Sequence, residues 1–292
     1  MQIYKQISSN KRNSYLLLFF VFAIIVALGI AVSFVMGSFI GLIIAIFIGI
    51  IYSLIGYSKG KDIVLKVSGA HKADPVKDAY LINTIEGLAL AAGVPTPEAY
   101  IIEDPNPNAF ATGKDPKDSA IAVTRGLIHL MNRAELEGVI AHEMSHIKNY
   151  DIKFMTLTAV LVGMIAIIAH FALRMMFFGG IGGRGRGKGG NPILLIIGVI
   201  FIVLAPIFAT LVQLAISRKR EYLADASGAL LTRYPPGLAN ALEKLKNHDT
   251  KVKTATSATA PLFIAEPMKK GFTSLLATHP PIEKRIEKLR KM

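Results

Sequence analysis

Two long stretches without a charged residue open the chain, 14–36 and 38–57. Each is long enough to cross a hydrocarbon core about 30 Å thick as a helix. Gly37 leaves room between them only for a tight hairpin. Two further apolar stretches of spanning length follow at 154–178 and 192–216. From Gly60 to about Asp151 the polarity becomes mixed and periodic, which predicts a water-exposed folded segment. Within it 63–67, 99–102 and 120–124 read as short strands, and 74–92 as an amphipathic helix closed by Gly93 and Pro95. Residues 127–131 read as a helical turn. Asn132 and Glu135 have the spacing of a capping box, and behind them Leu136, Val139, Ile140 and Ile147 recur with helical period. Leu238, Leu242 and Leu245 mark another helix, and Ile282, Ile286 and Leu289 the apolar face of a basic one. Between these two helices, 254–260 is polar and poor in bulky residues, and reads as a mobile loop, either a lid or a surface connection.

Composition agrees with a membrane protein: 52% of the 292 residues are hydrophobic, and the mean hydropathy is +0.46. A cleaved signal peptide is the alternative for the first stretch, but its apolar run exceeds an h-region and no clear small-residue cleavage site follows. Lys5, Lys11 and Arg12 precede the first span, and Lys59, Lys61, Lys66, Lys72 and Lys77 follow the second, so the positive-inside rule places both flanks in the cytoplasm. The second pair is less regular. His170 and Arg174 lie in its first half, and the Gly-rich link 179–191 carries Arg184, Arg186 and Lys188, which runs partly against that rule. Lys148, Lys153, Arg218, Lys219 and Arg220 nevertheless flank the pair on the cytoplasmic side. Four spans with both ends inside is the preferred topology, and a shallow or cavity-lining second hairpin is the alternative.

The net charge of +13 gathers beside the spans and at the C-terminus, with no nucleic-acid motif among the basic residues. Attraction to anionic lipid head groups accounts for it, so a lipid bilayer is expected as a partner and nucleic acid is not. The chain has no cysteine, which excludes disulfides and thiolate zinc ligands.

The chemistry is concentrated in His142-Glu143-Met144-Ser145-His146. Two histidines four apart on a helix stand about 6 Å apart along its axis on one face, so both imidazoles can reach one Zn²⁺. Glu143 lies beside the metal without being needed as a ligand, placed to take a proton from a water the metal has acidified. The fourth apolar stretch runs without a break into Glu221 and Asp225, which share a helix face. A zinc held by two histidines needs a third protein ligand and an open position; Glu221 is the choice for the ligand. Asp225 can accept a hydrogen bond from a liganding histidine's other ring nitrogen. Separately, Asn108, Ala109, Phe110 and Ala111 follow a Pro/Asn turn and can form a sheet edge able to pair with an extended peptide, or a plain turn and strand.

His142-Glu143-x-x-His146 followed, after a hydrophobic hairpin, by Glu221-x-x-x-Asp225 resembles the membrane zinc metalloproteases of the HtpX type, relatives of the CAAX prenyl endopeptidase. Asn108-Ala109-Phe110-Ala111, the two hairpins and Thr278-His279-Pro280-Pro281 with Arg285 match that layout, so the resemblance covers nearly the whole chain. It implies a cytoplasm-facing zinc endopeptidase of the cell inner (cytoplasmic) membrane that degrades damaged membrane proteins under stress. It further implies His142, His146 and Glu221 as ligands of one zinc per chain, Glu143 as general base, and Asp225 as the residue orienting a histidine. Residues 108–111 would line the substrate cleft, and His279 would stand close to the metal, stabilising the oxyanion or gating the water.

The expected architecture is therefore an α+β membrane protein. A cytoplasmic N-terminus (1–13) and a transmembrane hairpin (14–57) lead to the first part of a mainly helical, zincin-like (gluzincin) catalytic domain with a small sheet (58–153). A second hairpin (154–216) then leads to the second part of that domain (217–292). Two other classes share some of these features. An intramembrane site-2-type protease carries the same motif, but on an apolar helix, whereas Arg133, Glu135 and Glu137 flank this one. A membrane scaffold with structural zinc would close the metal's fourth position with a protein ligand, for which His279 or His170 is available.

Overall fold

The computed structural model describes residues 2–36, 39–161, 163, 218–256, 258–266 and 279–292. Much of the second predicted hairpin, including His170, Arg174 and the Gly-rich link, lies outside the described residues, as does Thr278.

Two long helices come first, α1 (Gln2–Met36) and α2 (Ile40–Val67), and they pack together. Both overrun the charge-free stretches. At 1.5 Å per residue the 35 residues of α1 extend about 50 Å, so residues 2–13 continue the helix beyond the apolar run. Among the described residues no helix is long and apolar enough to cross a membrane. The strand expected at 63–67 is instead the last part of α2. Its Val64 and Leu65 are buried with Phe110, Met155 and Phe263, and a β-branched run at the end of a well-packed helix follows its tertiary contacts rather than its strand propensity.

A four-stranded sheet follows, with β1 (Ala70–Lys72), β2 (Glu98–Ile102), β3 (Ala109–Asp115) and β4 (Asp118–Thr124) in the order β1-β2-β4-β3. β2 and β4 are parallel; β1 and β3 run antiparallel to their neighbours. β3 is thus an outer strand. Helix α3 (Ala79–Ala92) starts later than its apolar pattern suggests, because Asp74 accepts the backbone N–H groups of Val76 and Lys77 and holds 74–78 in turns. Gly93, at φ +70°, caps its C-terminus in the left-handed region.

α4 (Arg125–Leu130) leads into α5 (Arg133–Lys148), and the capping box is present: Asn132 Oδ1 accepts from Glu135 N, and Glu135 Oε2 from Asn132 N. α5 sits at the centre of the main core, its Leu136, Val139, Ile140, Met144 and Ile147 packed among Leu81 and Ile85 of α3 and Ile121 of β4. Tyr150 then takes a left-handed φ of 59°, after which 151–161 form a new helix, α6. α7 (Arg218–Thr232) and α8 (Pro235–Asn247) pack against α5, and α9 (Ile282–Arg290) closes the other side of α7 and α8. Leu238, Leu242 and Leu245 are buried as their spacing predicts. The expected mobile loop is tied down where it is described. Thr254 donates to Ser68 O, Thr256 and Thr259 bond each other, and Ala258 and Ala260 are buried.

Candidate metal centre

α5 delivers His142, Glu143 and His146 to one place because residues four apart on a helix are neighbours: the two histidines face Glu221 and Asp225 of α7, and Glu143 between them meets the Ala111 backbone of β3. All three are buried. α7 can come close because Gly228 faces α5: a Cβ there would stand 2.9 Å from His142 N and 3.1 Å from the Ala141 carbonyl carbon. That close approach brings Glu221, two turns earlier on α7, between the histidines.

The three ligand atoms lie within 4.8 Å of one another. The two Nε2 atoms are 3.2 Å apart, and Glu221 lies 3.5 Å from His146 Nε2 and 3.8 Å from His142 Nε2. A tetrahedral zinc with ligands about 2.1 Å from its centre requires ligand separations of about 3.4 Å, so the donors fit that ion. Charge fits as well. Glu143, Asp151, Glu221 and Asp225 are buried here with Arg220 and Arg285. With neutral histidines and ionised acids, the four carboxylates exceed the two guanidiniums by the charge of one divalent cation.

Each histidine has a carboxylate behind it. His142 Nδ1 is 3.0 Å from Asp225 Oδ1, and His146 Nδ1 is 3.0 Å from Asp151 Oδ2. A proton on either Nδ1 is donated to that oxygen, which leaves Nε2 with its lone pair for a metal. Arg285 grips Asp225 from the other side through Nε at 2.9 Å and Nη2 at 2.7 Å, and its Nη1 donates to Ile264 O at 3.1 Å. His279 Nδ1 lies 3.0 Å from Glu221 Oε2, while its buried Nε2 has no hydrogen-bond partner among the described residues.

These surroundings set the proton affinities. Burial raises Glu143 to about 7, with the negative charge of Glu221 adding to it against the pull of His146, of the Ala111 backbone N–H that it accepts, and of Arg285. Burial alone would lower both histidines. It prevails at His142, where Arg285 adds to it; at His146 the Asp151 hydrogen bond and the charges of Glu221, Asp151 and Glu143 overcome it, raising the group to about 9. Glu221 is held well below the usual carboxylate range: burial opposes this, but His279, His146 and Arg285 outweigh it.

The outer strand β3 passes over this cluster at Ala111. Its Asn108–Ala109 end is already paired within the chain: Ile264 N donates to Ala109 O at 2.9 Å, and the Asn108 amide exchanges hydrogen bonds with the backbone of Ala265 at 3.0 and 3.3 Å. Phe110 points to the opposite side, edge-on to Phe263. Of the residues around the site, the sequence reading did not single out Asp151, Asn10, Arg220 or the part played by Arg285. Asp151 has no periodic signature, since five residues along a straight helix would carry it about 140° away from His146; the left-handed Tyr150 brings it back. Arg285 did leave a signal, because it lies on the same helical face as Ile282, Ile286 and Leu289.

The pattern of peptidase family M48 matches residues 75–292. The chain is 46% identical over 291 residues to a protein named Protease HtpX homolog from Dictyoglomus thermophilum, covering 99% of this chain and 94% of that one. It is 51% identical over 244 residues to the protein of that name from Caldanaerobacter subterraneus, covering 83% and 81% of the two chains. Its counterpart in Streptococcus gordonii is 44% identical over 296 residues, covering 99% and 100%. Among solved structures, S. mikatae Ste24p aligns with a TM-score of 0.53 at 21% identity, over 98% of this chain and 67% of that one, a likeness of fold. The family pattern spans most of the chain, including all three candidate metal ligands, and the bacterial relatives extend the match across the rest: the chain is a metalloendopeptidase of peptidase family M48.

Proposed function

We propose that the chain is a zinc-dependent endopeptidase integrated in the cytoplasmic membrane through four spans in two hairpins, cleaving misfolded or damaged membrane proteins at the cytoplasmic face in protein quality control. The observation that carries this reading is the convergence of His142, His146 and Glu221 within 4.8 Å, with Glu143 buried on the same helix turn. The charge-free stretches of α1 and α2, with basic residues at both cytoplasmic flanks, support the membrane placement.

His142, His146 and Glu221 would hold one zinc per chain. When bound, the ion polarises the scissile carbonyl and makes the attacking water more acidic. Glu143 accepts the water's proton and passes it to the leaving amine, a shuttle suited to a carboxyl group whose pKa lies near neutrality. Asp225 and Asp151 hold the two imidazoles by their Nδ1 atoms. His279, anchored to Glu221 through Nδ1, keeps Nε2 for the developing oxyanion. The β3 edge from Asn108 to Ala111 lines the cleft and orders an extended substrate by strand pairing; at Asn108–Ala109 the substrate takes the place now held by residues 264–265.

The test is to reconstitute the protein in liposomes with a destabilised membrane protein and map the cuts. Zinc-dependent cuts confined to segments outside the bilayer on the catalytic side are expected. Cuts inside the hydrocarbon core would contradict the proposal and favour an intramembrane protease.

A further inference from the structure

Near the start of α1, ahead of the apolar run, Asn10 is 1% exposed. Its side-chain amide reaches residues 139, 141 and 210 positions away. Its Nδ2 donates to Asn149 O at 2.9 Å and to Asp151 Oδ1 at 2.6 Å, and its Oδ1 accepts from Arg220 Nη1 at 3.4 Å. Asp151 uses its other oxygen for His146 Nδ1. Arg220 immediately precedes Glu221 on α7, and its Nε lies 3.9 Å from Asp151 Oδ1. One amide therefore touches the carboxylate behind one candidate ligand and the residue beside another, with both ends of the amide used.

The rest of α1 holds this contact in place. Ser14 Oγ donates to Asn10 O, and Lys11 Nζ lies 4.0 Å over the Tyr150 ring, at the left-handed residue that turns Asp151 toward His146. Leu17 and Val21 pack on Phe154, Leu157 and Leu161 of α6. The left-handed turn at Tyr150 is an uncommon conformation that its surroundings must impose, and α1 supplies much of those surroundings.

We propose that Asn10 is a positioning residue of the metal centre, and that α1 thereby forms part of the catalytic apparatus as well as an anchor. The proposal rests on the zinc-site reading above. Asn10 fixes the rotamer of Asp151, so that its Oδ2 stays on His146 Nδ1, and it restrains Arg220 and with it the start of the ligand-bearing helix. Partners that orient a ligand from behind typically change metal affinity 10–100-fold when removed. One step further out, the expected loss is about tenfold.

The experiment uses full-length protein in detergent: parent, Asn10→Ala, the milder Asn10→Ser, and Leu17→Ala as a packing control on the same helix. Zinc affinity is read by competition with a chromophoric chelator, the ligand field by the visible spectrum of the cobalt-substituted protein, and stability by thermal melting. Asn10→Ala should weaken zinc about tenfold and shift the cobalt bands, with Asn10→Ser intermediate. Leu17→Ala should lower the melting temperature while changing zinc affinity and the cobalt bands clearly less than Asn10→Ala does. If Asn10→Ala does not fold, Asn10→Ser decides. Parent-like zinc affinity and cobalt bands in the folded Asn10 variants would overturn the proposal while leaving the zinc site intact. The same holds if Leu17→Ala shifts both as much as Asn10→Ala does. A parent that binds no zinc would overturn the site reading itself.

Discussion

His142 Nδ1 and Asp225 Oδ1 stand 3.0 Å apart on two different helices, and Arg285 from a third holds the same carboxylate at 2.7 Å. Asp225→Asn removes the charge that fixes His142 and takes from the buried Arg285 guanidinium its hydrogen-bonded counter-ion, leaving Glu221 at 3.7 Å. Zinc affinity should fall about 10–100-fold, and breaking the buried pair should cost about 3–5 kcal/mol of stability. Chelator competition and melting of the zinc-free protein measure the two effects. Parent-like values in both would mean that Asp225 does not orient the ligand.

Gly228→Ala should act without altering any ligand side chain. The new methyl group would meet backbone at His142 and Ala141, which has no side-chain freedom to yield, so α7 must withdraw and take Glu221 and Asp225 with it. A loss of about 1–3 kcal/mol is expected from such overpacking, together with weaker zinc binding. Normal melting and normal zinc affinity in this variant would show that the helices have slack.

Zinc binding should release protons. His146 is raised to about 9, so in the metal-free protein it is protonated at neutral pH, and a metal requires its neutral form. Binding at pH 7 should expel about one proton from His146 and a fraction from Glu143, and apparent affinity should rise about tenfold per pH unit from about 7 to about 9. Calorimetry in two buffers of different ionisation enthalpy measures the count. Proton-neutral binding would contradict the arrangement around His146.

Glu221→Ala should lose the metal itself, which separates a ligand from a catalytic acid. Zinc content after dialysis against a weak chelator should fall well below one per chain, while secondary structure by circular dichroism is retained. Full zinc occupancy in this variant would exclude Glu221 as a ligand.

What the sequence revealed divides along physical lines. His142, Glu143 and His146 are legible because one helix sets their spacing, and the Asn132–Glu135 capping box marks where that helix begins. Glu221 and Asp225 are legible only as a pair on a face; their approach to α5 depends on Gly228, whose role appears once two helices are in contact. Residues 63–67 show the opposite case, in which a β-branched run becomes helix because Val64 and Leu65 have a core to fill. Asp151 escaped notice because a single left-handed residue cancels the helical period, and Asn10 because a contact across 141 residues leaves no local pattern.

The most direct measurement compares the parent with Glu143→Gln, in detergent, for zinc per chain and cleavage of an unfolded reporter such as casein. One zinc in both proteins, with chelator-sensitive cleavage in the parent that falls at least about a hundredfold in Glu143→Gln, is the predicted result. A Glu143→Gln protein that holds its zinc and cleaves at the parent's rate would remove Glu143 from its role and contradict the account at its centre.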